Sequence, residues 1–456
     1  MNLEVIILAA GQGTRMKSPL PKVLHPVAGR PMLQHVVETA LELGPKAIHV
    51  VVGHGAEQVR MIMEPFALNW VTQEQQLGTG HAVLQAMPAV AADSTVLILY
   101  GDVPLISRDT LEALVARAGT APALLTCRAS DPAGLGRILR SNDGAVLGVV
   151  EHKDASEAQL AITEVNTGVL AAPAADLLKY LPAVGNANAQ GEYYLPDILA
   201  MAVAEGRTIE TCLAESELET AGVNDRLQLN QVEREYQRRQ AEQLLRDGVS
   251  VADPARLDIR GSLSCGADVF VDVNVVIEGE VSLGDNVSVG PNCVLKNTVI
   301  EAGATVHAMS HLEEARVGEG ASVGPYARLR PGTKLAAGAK VGNFVETKKA
   351  NIGTGSKVNH LTYIGDCEMG AGVNVGAGTI TCNYDGVNKH QTRMGDGVFI
   401  GSNSTLVAPL DIADGGFVGA GSTVTRAVGT DELAVSRSKQ RNIQGWQRPR
   451  KSKGED

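Results

Sequence analysis

Short apolar runs alternate with segments of helical periodicity over the first 225 residues. Val5-Ile6-Ile7-Leu8, Ile48-His49-Val50-Val51-Val52 and Val96-Leu97-Ile98-Leu99 are rich in β-branched residues, the pattern of strands buried on both faces. Between the first two, Leu33, Val36, Val37, Ala40 and Leu41 recur at i, i+3, i+4, i+7 and i+8, and Gly44-Pro45 supplies a stop, so the spacing predicts a helix. Strand, helix and strand in that order predict an α/β domain over residues 1–225. It is Rossmann-like, with a mostly parallel sheet whose ligands gather beyond the carboxyl ends of the strands. Residues 226–248 are dense in Glu, Gln, Arg and Leu, with no glycine before Gly248, and predict one exposed linker helix.

From residue 249 the period changes. Val317, Val323, Leu329, Leu335 and Val341 recur every six positions, and Ile400, Leu406, Ile412, Val418 and Val424 repeat the spacing. A six-residue repeat predicts an all-β parallel β-helix of hexapeptide repeats over residues 249–437, in which each short strand turns one aliphatic side chain inward. Breaks near Lys348–Asn351 and Thr381–Gln391 suggest loops leaving the coils, and His307 and His311 also read as lying off the repeat. Residues 438–456 form a basic tail carrying Lys439, Arg441, Arg448, Arg450, Lys451 and Lys453, read as a solvated terminus, with help in binding coenzyme A phosphates as the alternative.

Composition narrows the class. In 456 residues, 44% hydrophobic and 20% charged content is globular, and 50 glycines beside 3% aromatics suit a tightly turned repeat. No run of about 18 apolar residues supports a membrane span. Met1–Ala10 lacks a basic leader and reads as a core strand, so the expected location is cytoplasmic. A formal charge of −11 disfavours nucleic acid as a partner. The six cysteines form no C-x-x-C pair and read as small buried hydrophobes.

The first strand runs into Leu8-Ala9-Ala10-Gly11-Gln12-Gly13-Thr14-Arg15-Met16, then Pro21-Lys22. A glycine-rich turn lets backbone N–H groups approach phosphate, and Arg15 and Lys22 add cations. Met16 replaces the third glycine of a dinucleotide fingerprint, and no P-loop motif is present. The combined motif resembles the sugar-nucleotide pyrophosphorylase family of nucleotide-diphospho-sugar transferase fold. Gln73, with Gly78-Thr79-Gly80-His81 in the motif Gln76-Leu77-Gly78-Thr79-Gly80-His81-Ala82, resembles that family's uracil-recognising loop, and the resemblance implies that Gln73 and Gly78-Thr79 read uracil and that Tyr100-Gly101-Asp102 brings a carboxylate to the metal. It further implies that Asp102 and Asn224 hold Mg²⁺ and that Gly136, Glu151 and Asn166 hold the sugar. The reaction implied is attack by a sugar-1-phosphate oxygen on the α-phosphorus of UTP, with pyrophosphate leaving.

The repeat region contains Tyr326–Gly332, Gly342–Lys349, Asn359–Asp366, Asn374, Gly376–Thr379 and Cys382–Gly386. With the first half, these segments resemble the family of bifunctional N-acetylglucosamine-1-phosphate uridyltransferases and glucosamine-1-phosphate acetyltransferases over essentially the whole chain. The resemblance implies a left-handed β-helix and a homotrimer that takes glucosamine-1-phosphate, acetyl-CoA and UTP. It implies His360 as general base for the acceptor amine. Arg330 and Lys348 would hold the sugar phosphate, and Tyr363 and Asn374 would orient the sugar. Ala377, Asn383, Tyr384, Ser402, Ala420 and Arg437 would contact acetyl-CoA. Three rival readings compete with this one: a γ-type carbonic anhydrase, also a hexapeptide solenoid, with His307, His311 and His360 on zinc; a catalytically silent scaffold or regulatory subunit; and a nucleotidyltransferase for another sugar or base.

Overall fold

The computed structural model describes residues 2–450, so Lys451 and Lys453 of the basic tail lie outside it. The chain divides into two compact units between Gln240 and Ala241.

In the first unit the strand Leu3–Ala9 is buried at every position. It pairs in parallel with Ala47–Val52 on one side and Thr95–Tyr100 on the other. The sheet continues through Asn69–Thr72 at one edge and through Glu164–Pro173, Ala123–Arg128 and Glu210–Leu213 toward the other. Glu164–Pro173 alone runs antiparallel to its sheet neighbours on that path. Because side chains alternate across a strand, Val5 and Ile7 enter one apolar cluster while Ile6 and Leu8 enter the cluster on the opposite face. Successive connections leave Leu3–Ala9 in opposite directions. That opens a crevice at the carboxyl ends of this strand and Thr95–Tyr100, where a ligand site belongs in such a sheet.

The expected helix is Met32–Glu42, buried through Met32, Leu33, Val36, Val37 and Ala40. Leu41 departs from the expectation and is exposed, because eight residues on from Leu33 it has turned about 80° away from the apolar stripe. The helix predicted as an exposed linker spans Arg226–Arg246 and is docked instead. Val232, with Leu229 and Tyr236, packs against Met16, Val27 and Met32, and Glu233 Oε2 accepts the Ala28 N–H at 2.6 Å. Its lower residues therefore belong to the first unit, while Ala241 joins the core of the second.

The second unit is built of short strands in two long sheets, all pairing in parallel, as in a left-handed parallel β-helix. All ten repeat aliphatics named from the sequence are buried. Lys348–Asn351 is not a loop: it lies inside the strand Glu346–Ile352, which pairs with Tyr363–Met369 and turns a corner at Lys349. The repeat is masked there because the inward position is Thr347, fully buried, whose hydroxyl lies 3.1 Å from that of Thr333. His307 and His311 also lie on regular coils, between the buried Val306 and Leu312 and beside them. A genuine excursion follows Cys382. Tyr384 bridges Lys389 in antiparallel fashion, and the His390 N–H closes the loop on the Asn383 carbonyl at 2.8 Å.

Candidate active sites

A cavity of about 210 Å³ opens at the sheet crevice, lined by Leu8, Ala9, Ala10, Gly11, Lys22, Gln73, Gly78, Thr79, Tyr100 and Asp102. These residues are distant in sequence and converge because each ends or follows a parallel strand. Gly78 has φ 110°, and a Cβ there would come within 2.7 Å of the Tyr193 carbonyl oxygen, so only glycine fits. The loop is buttressed from Tyr193–Leu195: the Gly80 N–H donates to the Tyr193 carbonyl at 2.8 Å, and the Leu195 N–H to Thr79 Oγ1 at 3.1 Å. Gln76 and Glu192 also line the cavity and were missed from sequence. Gln76 stood within the motif but had a readable partner in Gln73, and Glu192 is brought in from more than a hundred positions away. Arg15 is exposed on the turn Thr14–Met16, outside the lining.

At the mouth, the Lys22 ammonium pairs with Asp102 Oδ2 and lies 3.1 Å from Asn224 Oδ1. The backbone joins the two oxygen-bearing residues, since the Val223 N–H donates to the Asp102 carbonyl at 2.9 Å. Two hard oxygen donors converging on one positive charge fit a divalent cation. A second cavity, of about 1150 Å³, leads from Lys22, Asp102 and Asn224 past Asn166 to the helix Arg226–Arg246. Asn166 is tied to Gly136, whose carbonyl accepts its N–H at 2.9 Å, and a Cβ on Gly136 would sit 3.0 Å from Glu151 Oε1. The three sugar-site candidates thus form one group. Gly101 is held by its N–H to the Leu8 carbonyl at 2.9 Å. Burial, reinforced by Asp197, Asp154 and Glu192, raises the Glu151 carboxyl above its ordinary value. Burial with Asp102 and Glu151 nearby pushes the Tyr100 phenol up as well.

On the coils, the His360 ring is exposed and its Nδ1 lies 2.7 Å from Asn343 Oδ1 on the preceding coil. An amide oxygen only accepts, so Nδ1–H donates and Nε2 carries the lone pair. Asn343 lies in the segment Gly342–Lys349 with nothing in the sequence to mark its role, because its alignment with His360 exists only once the coils stack. Arg330 Nη1 meets Glu346 Oε1 at 2.8 Å. Lys348 is held below the usual ammonium range by Lys389 first, with Arg330 adding. Three cations therefore crowd one place, which favours an anion between them. Tyr363 pairs with Glu346 across the same sheet, while Asn374 stands on the other sheet, paired with Lys357. Ala377, Ser402 and Ala420 stack on successive coils: the Asn403 N–H donates to the Ala377 carbonyl and the Gly421 N–H to the Ser402 carbonyl, each at 2.8 Å. The Arg437 guanidinium reaches the Ala420 carbonyl. Asn383 bonds Asp366, while Tyr384 is exposed at the loop tip.

A family model described as a MobA-like NTP transferase domain matches residues 5–168. A protein of Marinobacter nauticus named Bifunctional protein GlmU is 59% identical over 451 residues, covering 99% of both chains. Proteins of the same name from Cellvibrio japonicus and Pseudomonas putida are 58% and 57% identical, covering 98% and 99% of this chain and 99% and 100% of theirs. The chain belongs to the GlmU family. It is a bifunctional acetyltransferase and uridyltransferase of UDP-N-acetylglucosamine synthesis. The GlmU relationship and the NTP transferase domain are consistent with a divalent-metal requirement, and among the described residues no helix is long and apolar enough to cross a membrane. A solved nucleotidyl transferase from Methanothermobacter thermautotroptrophicus covers 54% of this chain and 99% of its own at 20% identity, with a TM-score of 0.37.

Proposed function

We propose that the α/β unit transfers uridylyl groups from UTP to N-acetylglucosamine-1-phosphate and that the coiled unit acetylates glucosamine-1-phosphate from acetyl-CoA, in the order acetylation then uridylylation. For the first reaction, the backbone of Leu8–Gly11 and the Lys22 ammonium bind the triphosphate, Gln73 and Gly78-Thr79 hold the base, and Gly136, Glu151 and Asn166 hold the sugar. Phosphoryl transfer is governed by alignment and charge, so these residues act by setting the sugar phosphate oxygen in line with the α-phosphorus and offsetting the negative charge that develops. Asp102 and Asn224 would hold Mg²⁺, which would supply further positive charge at the phosphates.

The acetyl reading is carried by one observation, the Asn343–His360 bond. It leaves Nε2 able to take the proton that the acceptor amine loses as it attacks the thioester carbon and coenzyme A thiolate departs. Arg330 and Lys348 hold the phosphate, Tyr363 and Asn374 the sugar, and Ala377, Asn383, Tyr384, Ser402, Ala420 and Arg437 the coenzyme. A homotrimer is supported by an exposed ridge beside the base: Met309, Tyr326, Phe344 and Leu361 stand outward on successive coils, with the Tyr326 and Phe344 rings stacked 5.2 Å apart. Six free thiols agree with a reducing cytoplasm. The decisive assay supplies glucosamine-1-phosphate, acetyl-CoA, UTP and Mg²⁺ and follows free thiol and pyrophosphate. Thiol release with no pyrophosphate, or the converse, would overturn the division of labour.

A further inference from the structure

Gln73 is 3% exposed and lines the smaller cavity. A primary amide offers two N–H donors at one end and a carbonyl acceptor at the other. Both donors are engaged: Nε2 lies 3.2 Å from the Gly78 carbonyl oxygen and 2.9 Å from His81 Nδ1. A backbone carbonyl only accepts, so the nitrogen end of the amide must face Gly78, and the usual ambiguity between the two ends disappears. It follows that His81 Nδ1 is an acceptor and that the neutral ring carries its proton on Nε2, 3.3 Å from the amide of the exposed Gln85, which must turn its oxygen rather than its nitrogen to that proton. The oxygen of Gln73 is left over. Among the described residues it accepts no hydrogen bond, and it is the end of the amide available to a ligand.

We propose that His81 is a positioning residue that sets base selectivity by locking the Gln73 amide with its oxygen toward the base. An acceptor at that point pairs with the imide N3–H of uracil and opposes the N3 lone pair of cytosine. Turning the amide over would set its oxygen against the Gly78 carbonyl, and against His81 Nδ1 as well unless the imidazole shifted its proton from Nε2 to Nδ1. Without the imidazole only one of these remains, and the flipped amide, which suits cytosine, becomes accessible. His81 is itself held in place. It is the third residue of the helix Thr79–Ala86, the preceding Gly80 N–H is fixed to the Tyr193 carbonyl at 2.8 Å, and the Tyr193 ring lies 6.3 Å from the imidazole. The proposal rests on the reading of this cavity as the UTP site.

The test compares kcat/KM for UTP and CTP, with N-acetylglucosamine-1-phosphate as acceptor, in the full chain and its His81→Leu, His81→Phe, His81→Asn and Gln73→Ala variants. Thermal unfolding of the same preparations, followed by far-UV circular dichroism, reports that the α/β unit is intact, since acetyl transfer belongs to the other unit. Sites that read a hydrogen-bonding group discriminate by factors of ten to many thousands, so His81→Leu should lower the UTP:CTP ratio about tenfold or more. His81→Phe, which keeps the ring shape without a nitrogen, should do the same. His81→Asn places a side-chain oxygen near the Nδ1 position and should restore most of the ratio. If UTP and CTP use fall together in both apolar variants, His81 serves packing alone and the proposal is overturned. If Gln73→Ala leaves UTP use and the ratio untouched, the failure lies in the assignment of the cavity to the base.

Discussion

Asp102→Asn keeps the shape of a side chain while removing the charge that faces Lys22. It should cut uridylyl transfer more than about tenfold, a barrier change above about 1.4 kcal/mol, and leave acetyl transfer intact. Pyrophosphate release at saturating Mg²⁺ measures it. His360→Ala should lower acetyl transfer by about 10²–10⁴ with uridylyl transfer unchanged. Normal turnover with weak glucosamine-1-phosphate binding would instead make His360 a ligand. Glu151 carries a pH prediction. Its folded carboxyl titrates above the ordinary 4.5 because it is buried, with Asp197, Asp154 and Glu192 adding. The native state therefore holds the extra proton, and this contribution is present at low pH and lost as pH rises from about 4.5 through the folded value. Glu151→Gln should raise the melting temperature at neutral pH and flatten that loss. Asp197 is raised by burial in the same sense, so some slope should survive. Single residues were legible only where a motif surrounded them: Asp102 and His360 stood in motifs, whereas Glu192 had none.

Among elements, the coils and the long helix teach opposite lessons. The coils bury one aliphatic every six residues, so Ile400→Ala, fully buried, should cost about 2–5 kcal/mol and remove acetyl transfer before uridylyl transfer. Chemical denaturation with both assays checks it. Thr347→Val should be mild, changing stability by less than about 1 kcal/mol, because Thr333 keeps its bond to the Arg330 carbonyl at 2.8 Å. The period was read correctly through ten aliphatics and misread at Thr347, since a hydroxyl paired inside a coil looks like a surface residue in a sequence. The helix Arg226–Arg246 was read as exposed because its composition is polar throughout, yet one side-chain row, Leu229, Val232 and Tyr236, is enough to dock it.

For the whole molecule, residues 1–246 alone should fold and transfer uridylyl groups, and residues from Val249 onward should acetylate only as a trimer. Mixed Arg330→Ala and Arg437→Ala chains regaining activity would place the two residues in one site shared between subunits, whereas an active monomer in sedimentation would exclude it. Two periodicities, one of helix and strand and one of six, determined by themselves that there are two architectures, because burial must recur at the spacing of the backbone, whereas the division between Gln240 and Ala241, inside the long helix, was decided by packing. The motifs likewise carried the family. What only the tertiary structure decided is which groups meet: Lys22 with Asp102 and Asn224, Asn343 with His360, and Gln73 with His81. Of these, Gln73 and His81 are eight residues apart and still unreadable as a pair, because a hydrogen bond depends on direction as well as spacing, and direction is set by the fold around the loop.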